Sequence, residues 1–391
     1  MIRLVLTARA LRSFADGFVA VLLPAYLLAL GHSEFAVGVI STTTLLGSAL
    51  ATLAVGRWGA RFPMRGLLLA MALLMAVTGV AFASISTLWP LLIIAFIGPL
   101  NPSSGDVSVF LPLEHTVLAT AAPPEARAGI FARYSFLGSV LAAAGALATG
   151  TPDWLTKHSG LSMLDALRAM FLLYGLIGVA VWLLYLRIPR VPVAADRPAS
   201  PLGPSRSIVW KLAALFSIDS FAGGLIVNSL LALWLFQRFG LSLATAGAFF
   251  FWTGLLSALS QLAAPLLAKR IGLINTMVFT HIPASGFLIG AAFAPTLPIA
   301  LGLLLARSAL SSMDVPARSA FVMSVVTPEE RPAAASFTAV PRSLAAGIGP
   351  TLTGAMFTAG VMAVPLVACG VLKIAYDLAL FVAFRRVQPR A

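Results

Sequence analysis

Cysteine and charged residues are both scarce in this sequence. The 391 residues include one cysteine, Cys369, which excludes an internal disulfide and any metal site built from several thiolates. Charged residues make up 10% of the chain, whereas an ordinary soluble domain carries about 25%. A chain with so few polar side chains cannot cover a water-facing surface, which excludes an ordinary soluble protein.

Catalytic and nucleotide-binding motifs are also missing. The four histidines are scattered without metal-ligand spacing, and no G-x-x-x-x-G-K-[ST] phosphate-binding loop occurs. We therefore expect neither an enzyme nor an ATP-driven pump, and we expect no metal and no other cofactor.

Apolar residues dominate the chain. They make up 60% of the sequence, and the mean hydropathy is +0.98. Twelve segments are long enough to cross a hydrocarbon core of about 30 Å as helices. We therefore predict an all-α polytopic membrane protein with lipid bilayer around it. The spans fall near residues 4–30, 35–55, 66–86, 88–118, 129–149, 166–186, 209–236, 243–267, 273–293, 297–326, 333–360 and 361–384.

The composition changes once, near the middle of the chain. Residues 189–208 are rich in proline, arginine, serine and alanine, and the prolines prevent a regular helix. The sequence therefore predicts an N-terminal six-helix bundle over residues 1–188, a cytoplasmic linker over 189–208 and a C-terminal bundle over 209–391.

The formal net charge of +13 favours nucleic acid as a partner only in a soluble protein. Here the basic residues lie in short segments between apolar runs, and almost all of them fall on one side of the membrane. Because positive loops stay in the cytoplasm, we expect both termini to be cytoplasmic and the protein to lie in a plasma membrane, such as a bacterial inner membrane. We expect no nucleic-acid partner.

The two halves of the chain resemble each other. Short motifs recur in the same order at a separation of roughly 207 residues, which indicates two parallel six-span repeats. The recurring motifs include Ser13–Gly17 with Ser220–Gly224, Asp106 with Asp314, and Arg133 with Arg342.

This layout resembles the major facilitator superfamily. That family typically carries G-x-x-x-D-R-x-G-R-R between its second and third spans. The segment from Gly56 to Arg65 keeps the glycine and three arginines, Arg57, Arg61 and Arg65, but lacks the aspartate. The resemblance implies two pseudo-symmetric six-helix bundles that alternately expose a central site, and it makes the three arginines gating candidates.

Ionisable residues inside apolar spans are the candidate site, because a charge in lipid is costly unless it is paired or functional. Asp16 is either a carboxylate of a cavity or a local partner of Arg12. Asp106 and Asp314 are duplicated, so each is either a proton-switched acid or half of a pair within its own bundle. In the first half Arg133 is the candidate partner of either Glu114 or Asp106, and in the second half Arg318 and Arg342 are the candidate partners of Asp314.

Asp219 has no acidic duplicate, because the equivalent position in the first half is Arg12. We expect Asp219 to stand without a nearby partner and to contact substrate or a coupling proton, with Asn228 close in sequence as a second candidate. Lys373 and Asp377 lie one helical turn apart in the last span, and this spacing predicts that they neutralise each other.

The resulting prediction is a monomeric secondary active transporter, coupled to protons, that exports a small amphipathic or cationic molecule. Uptake or exchange of a small organic anion is the alternative if the arginines face the cavity. A non-transporting membrane receptor or a lipid-translocating protein is an alternative from another class.

Overall fold

The computed structural model describes residues 1–103, 108–123, 126–189, 202–327 and 330–385. These residues form α-helices and no strand, which confirms the all-α fold. The helices are α1 Ile2–Ala29, α2 Glu34–Trp58, α3 Met64–Ser84, α4 Leu88–Ile97, α5 Phe110–Ala121, α6 Arg127–Leu147, α7 Thr151–Ser159, α8 Met163–Leu186, α9 Arg206–Leu225, α10 Asn228–Phe239, α11 Leu243–Ile271, α12 Leu273–Ala292, α13 Leu297–Ser311, α14 Asp314–Val325, α15 Arg331–Thr358 and α16 Val364–Phe384.

Each of the twelve expected spans corresponds to one helix or to successive helices. In the described part of the chain, ten helical segments are long and apolar enough to cross a membrane. The remaining two spans are the fourth, which begins with the shorter apolar helix α4, and the eleventh, which is the 28-residue α15. Large apolar side chains such as Trp89 and Val382 lie 78% and 73% exposed, as expected of a surface that contacts lipid.

The seventh and tenth spans are each interrupted. In the seventh, α9 ends just after Gly223 and Gly224, which favour helix poorly, and α10 begins at Asn228. In the tenth, α14 restarts at Asp314 and so places Pro316 in its first turn, where no backbone N–H donor is needed. These interruptions put Asn228 and Asp314 at helix N-termini.

The helices group into two compact units. One comprises Met1–Asp196 with Val227–Phe251, and the other comprises Arg197–Ile226 with Trp252–Ala391. Helix α10 therefore packs in the first unit, where Ser229 Oγ lies 3.1 Å from Ser41 Oγ of α2. The predicted linker over 189–208 falls mostly outside the described residues, and the division into domains at that linker stays a prediction.

Glycines set the closest helix contacts within each unit. A Cβ atom added at Gly17 of α1 would collide with the backbone carbonyl of Ala142 in α6, and one at Gly224 of α9 would collide with that of Ala346 in α15. Gly17 and Gly224 are equivalent positions of the sequence repeat. The repeat therefore preserves the same close contact between helices in both units.

Glu330 fixes the start of α15 to the segment before α9. Its carboxylate accepts hydrogen bonds from the backbone N–H groups of Gly203 and Ser205 and, at 3.0 Å, from Thr327 Oγ1. Hydrogen bonding, first of all with the Ser205 side chain, lowers the pKa of Glu330 from 4.5 to about 2. The folded protein therefore stabilises the ionised form of the Glu330 carboxylate.

We expect Gly17→Ala and Gly224→Ala to destabilise the protein, because the added methyl group meets backbone that cannot rotate away. The expected loss is about 1–3 kcal/mol in the free energy of unfolding. Thermal unfolding in detergent measures it. Gly302→Ala is the matched control, since a Cβ there meets nothing within 4 Å; equal melting temperatures for all three variants would contradict the packing argument.

The Glu330 contacts predict a pH-dependent contribution to stability. Because the folded pKa of about 2 lies below the ordinary 4.5, the stabilisation is complete above about pH 4.5 and is lost as the pH falls towards 2. The melting temperature of Glu330→Gln should therefore fall below wild type near neutral pH and converge with it near pH 2. A difference that does not change with pH would exclude the ionised carboxylate as its cause.

Candidate functional site

Each compact unit contains a buried cluster of charged side chains. In the first unit we call Arg12, Glu114, Tyr134 and Tyr185 the Glu114 cluster. In the second we call Asp219, His281, Asp314, Arg318, Lys373 and Asp377 the Asp219 cluster. All ten residues are no more than 9% exposed.

The Glu114 carboxylate in α5 is hydrogen-bonded by donors from three other helices. Arg12 of α1 pairs with Oε2, Tyr134 of α6 donates to Oε2 at 2.5 Å, and Tyr185 of α8 donates to Oε1 at 2.6 Å. The Arg12 guanidinium also stacks over the Phe110 ring, 4.0 Å from its centroid. Both carboxylate oxygens are thus occupied, and the charge is neutralised within the unit.

Of the two partners expected for Arg133, the structure describes one, Glu114. Arg133 was a candidate to contact Glu114, but its side chain is exposed and Arg12 occupies that position. Tyr134, the next residue, reaches Glu114 because successive helical residues point about 100° apart. Asp106, the duplicate of Asp314, lies outside the described residues.

Asp219 in α9 is the centre of the second cluster. Its Oδ1 accepts a hydrogen bond from Lys373 Nζ of α16 at 2.6 Å, and its Oδ2 accepts one from Arg318 of α14 at 3.1 Å. Arg318 also lies 3.4 Å from Asp314, one turn earlier in α14. The predicted pairing of Asp314 with Arg318 is therefore present, but Arg318 bridges two carboxylates.

A histidine continues this network towards Asp377. His281 Nδ1 of α12 lies 3.1 Å from Asp377 Oδ1, and His281 Nε2 lies 3.4 Å from Lys373 Nζ. A carboxylate on one side and an ammonium on the other favour the tautomer with its proton on Nδ1. Asp377, His281, Lys373 and Asp219 then form one continuous chain of hydrogen bonds.

Two expectations about the second half were wrong for the same reason. Asp219 does not stand without partners, and Lys373 does not form a direct pair with Asp377. Lys373 and Asp377 share a face of α16, but that face meets two different helices. Lys373 reaches α9, whereas Asp377 reaches α12.

The remaining candidates lie apart from the two clusters or at their edges. Asp16 is buried in α1, where Arg9 and Arg12 are the neighbouring charges. Arg342 Nε of α15 donates to Ser220 Oγ at 3.2 Å. Asn228 belongs to the first unit, whereas Asp219 belongs to the second.

The basic loop after the second span shows two environments. Arg57 and Arg61 are exposed. Arg65, in the first turn of α3, donates to the backbone carbonyl of Leu186 at 2.6 Å and so joins the start of α3 to the end of α8. Their assignment as gating residues stays a prediction.

Arg307 in α13 was missed by the sequence reading. It is a cation in the middle of an apolar helix, and this signal was visible in the run Leu-Leu-Leu-Ala-Arg. It has no duplicate, because the first-half residue at the same separation is apolar.

The described residues contain no group of three or more histidine, cysteine or carboxylate side chains placed to hold a metal ion.

The Glu114 cluster predicts a strong dependence on charge balance. Glu114→Leu or Arg12→Met alone leaves a buried charge without its partner and should cost about 3–5 kcal/mol of stability. The double variant removes both charges and should recover a large part of that loss. Melting temperatures of the four proteins measure the coupling, and additive losses would contradict a direct ion pair.

Comparisons with known proteins give the same fold. A family model of the Major Facilitator Superfamily matches residues 5–308. An uncharacterised membrane protein of Saccharomyces cerevisiae, YJR124C, is 23% identical over 425 residues, covering 100% of this chain and 95% of the yeast protein.

Two solved structures are similar along almost the whole chain. A bacterial homologue of the human lysosomal transporter Spinster, crystallised in an inward-facing and occupied conformation, superposes with a TM-score of 0.78 at 16% identity, covering 98% of this chain and 96% of that one. The nucleoside transporter NupG superposes with a TM-score of 0.75 at 16% identity, covering 98% and 99%. From the family match, the twelve spans and the internal repeat together, the chain belongs to the major facilitator superfamily of membrane transporters.

Proposed function

We propose that this protein is a secondary active transporter that moves a small organic solute in exchange for, or together with, protons. The Asp219 cluster is its coupling element. The observation that carries the proposal is the position of Asp219, whose two oxygens hold Lys373 of one helix and Arg318 of another.

Protonation of Asp219 would change how three helices are held together. The ionised carboxylate joins α9 to α14 and α16. A neutral carboxylic acid binds the two cations far less strongly, and a buried cation without a counter-charge is costly by several kcal/mol. One proton therefore favours a different arrangement of these helices, which is the property that a coupling site needs.

The chain of hydrogen bonds from Asp377 through His281 supports this role. The two ring nitrogens of an imidazole can make hydrogen bonds to two different groups at once. His281 lies between Asp377 and Lys373, which is itself bound to Asp219. A proton bound at Asp377 weakens its contact with His281, and His281 in turn contacts the lysine that holds Asp219, so the two carboxylates are linked electrostatically.

The Glu114 cluster supports a different role, as a fixed brace of its own unit. Glu114 accepts three hydrogen bonds and has no histidine among these partners. These three donors come from three other helices of the unit and occupy both carboxylate oxygens. We propose that this unit keeps its internal packing while the coupling unit responds to protons.

The setting follows from the same proposal. The protein is a multi-pass membrane protein, and we propose a plasma membrane, such as a bacterial inner membrane, with both termini in the cytoplasm. A receptor or a lipid-translocating protein with this fold would bind ligands without driving soluble solutes across a membrane.

The test begins with a thermal-shift screen of purified protein against metabolites and drugs, because a ligand of the folded state raises its melting temperature. Each hit is then assayed in proteoliposomes that contain a pH-sensitive dye. We expect a pH gradient to drive accumulation of the solute by wild type. Asp219→Asn should keep exchange of solute at equilibrium and lose at least tenfold of the gradient-driven accumulation.

Asp165→Asn is the matched control, because Asp165 is an exposed carboxylate of α8 and should behave as wild type. Unchanged accumulation in Asp219→Asn would remove Asp219 as the coupling residue. Ligand binding without flux of any hit would instead favour the receptor.

A further inference from the structure

The charges inside the second unit do not balance. With His281 neutral, the candidate groups within the described spans leave one positive charge in excess. The three carboxylates are Asp219, Asp314 and Asp377, and the four cations are Arg307, Arg318, Arg342 and Lys373.

Two of these cations bind no carboxylate: Arg342, which donates to Ser220 Oγ at 3.2 Å, and Arg307. Arg307 lies partly buried in α13, in the middle of the apolar segment Leu297–Val325. Among the described residues it makes no hydrogen bond and no ion pair, unlike Arg318 and Lys373, which each bind a carboxylate. A guanidinium in this position is costly unless something else binds it.

The nearest acid is not available to Arg307. Its electrostatic neighbours are Cys369 of α16 and Asp219 of α9. Both oxygens of Asp219 are already occupied, Oδ1 by Lys373 and Oδ2 by Arg318. Asp219 therefore has no oxygen left without a cation for Arg307 to bind.

No equivalent free anion exists among the candidate acids that the structure describes. Glu114, Asp219, Asp314 and Asp377 all bind cations or hydrogen-bond donors, and Asp16 also has an interaction partner. A cationic solute would have to displace a cation that the protein already holds. This charge distribution favours an anionic solute over the cationic solute expected from the sequence.

We propose that Arg307 binds the anionic group of the transported solute, a small organic anion that carries a carboxylate or a phosphate. The guanidinium presents a planar fork of donors that matches two oxygens of either group. A monoanion bound there neutralises the excess charge. The proposal rests on the proposed transport function and names its substrate class.

Binding is tested separately from transport, with wild type, Arg307→Gln and Arg307→Lys in lipid nanodiscs. The probes are mono- and dicarboxylates with their uncharged amides, phosphate monoesters with their parent alcohols, and quaternary ammonium compounds. We expect stabilisation of wild type by anions and not by their neutral analogues. The class of anion that stabilises the wild type, carboxylates or phosphate esters, identifies the anionic group of the solute.

Arg307→Gln should weaken binding of the active anion at least tenfold, and Arg307→Lys, which keeps the charge but loses the fork, should weaken it less. Without ligand, Arg307→Gln should melt at or above the wild-type temperature, because it removes an unneutralised charge. If Arg307 were merely structural, its replacement by glutamine would lower the melting temperature. Arg270→Gln, which removes an exposed cation from the end of α11, is the matched control and should bind as wild type.

Equal anion affinity of wild type and Arg307→Gln would overturn the proposal, and so would a wild-type response to cations or neutral compounds alone. Flux assays keep this outcome distinct from a failure of the transport function. If wild type and Arg307→Gln show the same proton-driven flux of a solute, the transport function stands and the role of Arg307 is excluded. If anions bind through Arg307 but no flux is observed, the anion site stands and the transport function is excluded.

Discussion

The absence of water around the spans is the constraint on which this structure depends. A charge in lipid needs a counter-charge within hydrogen-bond distance, because no solvent can stabilise it. The Asp219 carboxylate meets this requirement with two cations from two other helices, at 2.6 and 3.1 Å. The protonation state of Asp219 and the packing of α9, α14 and α16 therefore depend on each other.

The two units satisfy this constraint with the acid and the base in exchanged positions. The first unit joins its first and fourth spans through Arg12 and Glu114, and the second joins the corresponding spans through Asp219 and Arg318. Arg12 and Asp219 occupy equivalent positions of the repeat. Duplication has thus preserved a buried ion pair between the same two spans without preserving which span carries the acid, since either polarity neutralises the pair equally well.

The surroundings of the two ion pairs differ, and the proposal that one is a brace and the other a coupling site rests on this difference. Tyrosine hydroxyls complete the shell of Glu114, and they keep their protons at physiological pH. Around Asp219 the shell contains His281, a second carboxylate–cation contact and the nearby Arg307. A buried histidine thus lies in only one of the two described units, although the sequence repeats in both.

The sequence by itself determined the fold class, the twelve spans and the internal repeat, because hydropathy and motif spacing are local properties that lipid enforces. It also identified Asp219, Asp314 and Arg318 as buried charges. Only the tertiary structure decided the partners: Arg12 meets Glu114 across 102 residues and Lys373 meets Asp219 across 154. Helical periodicity fixes which face a side chain occupies, but which neighbouring helix that face meets depends on the packing of the whole unit.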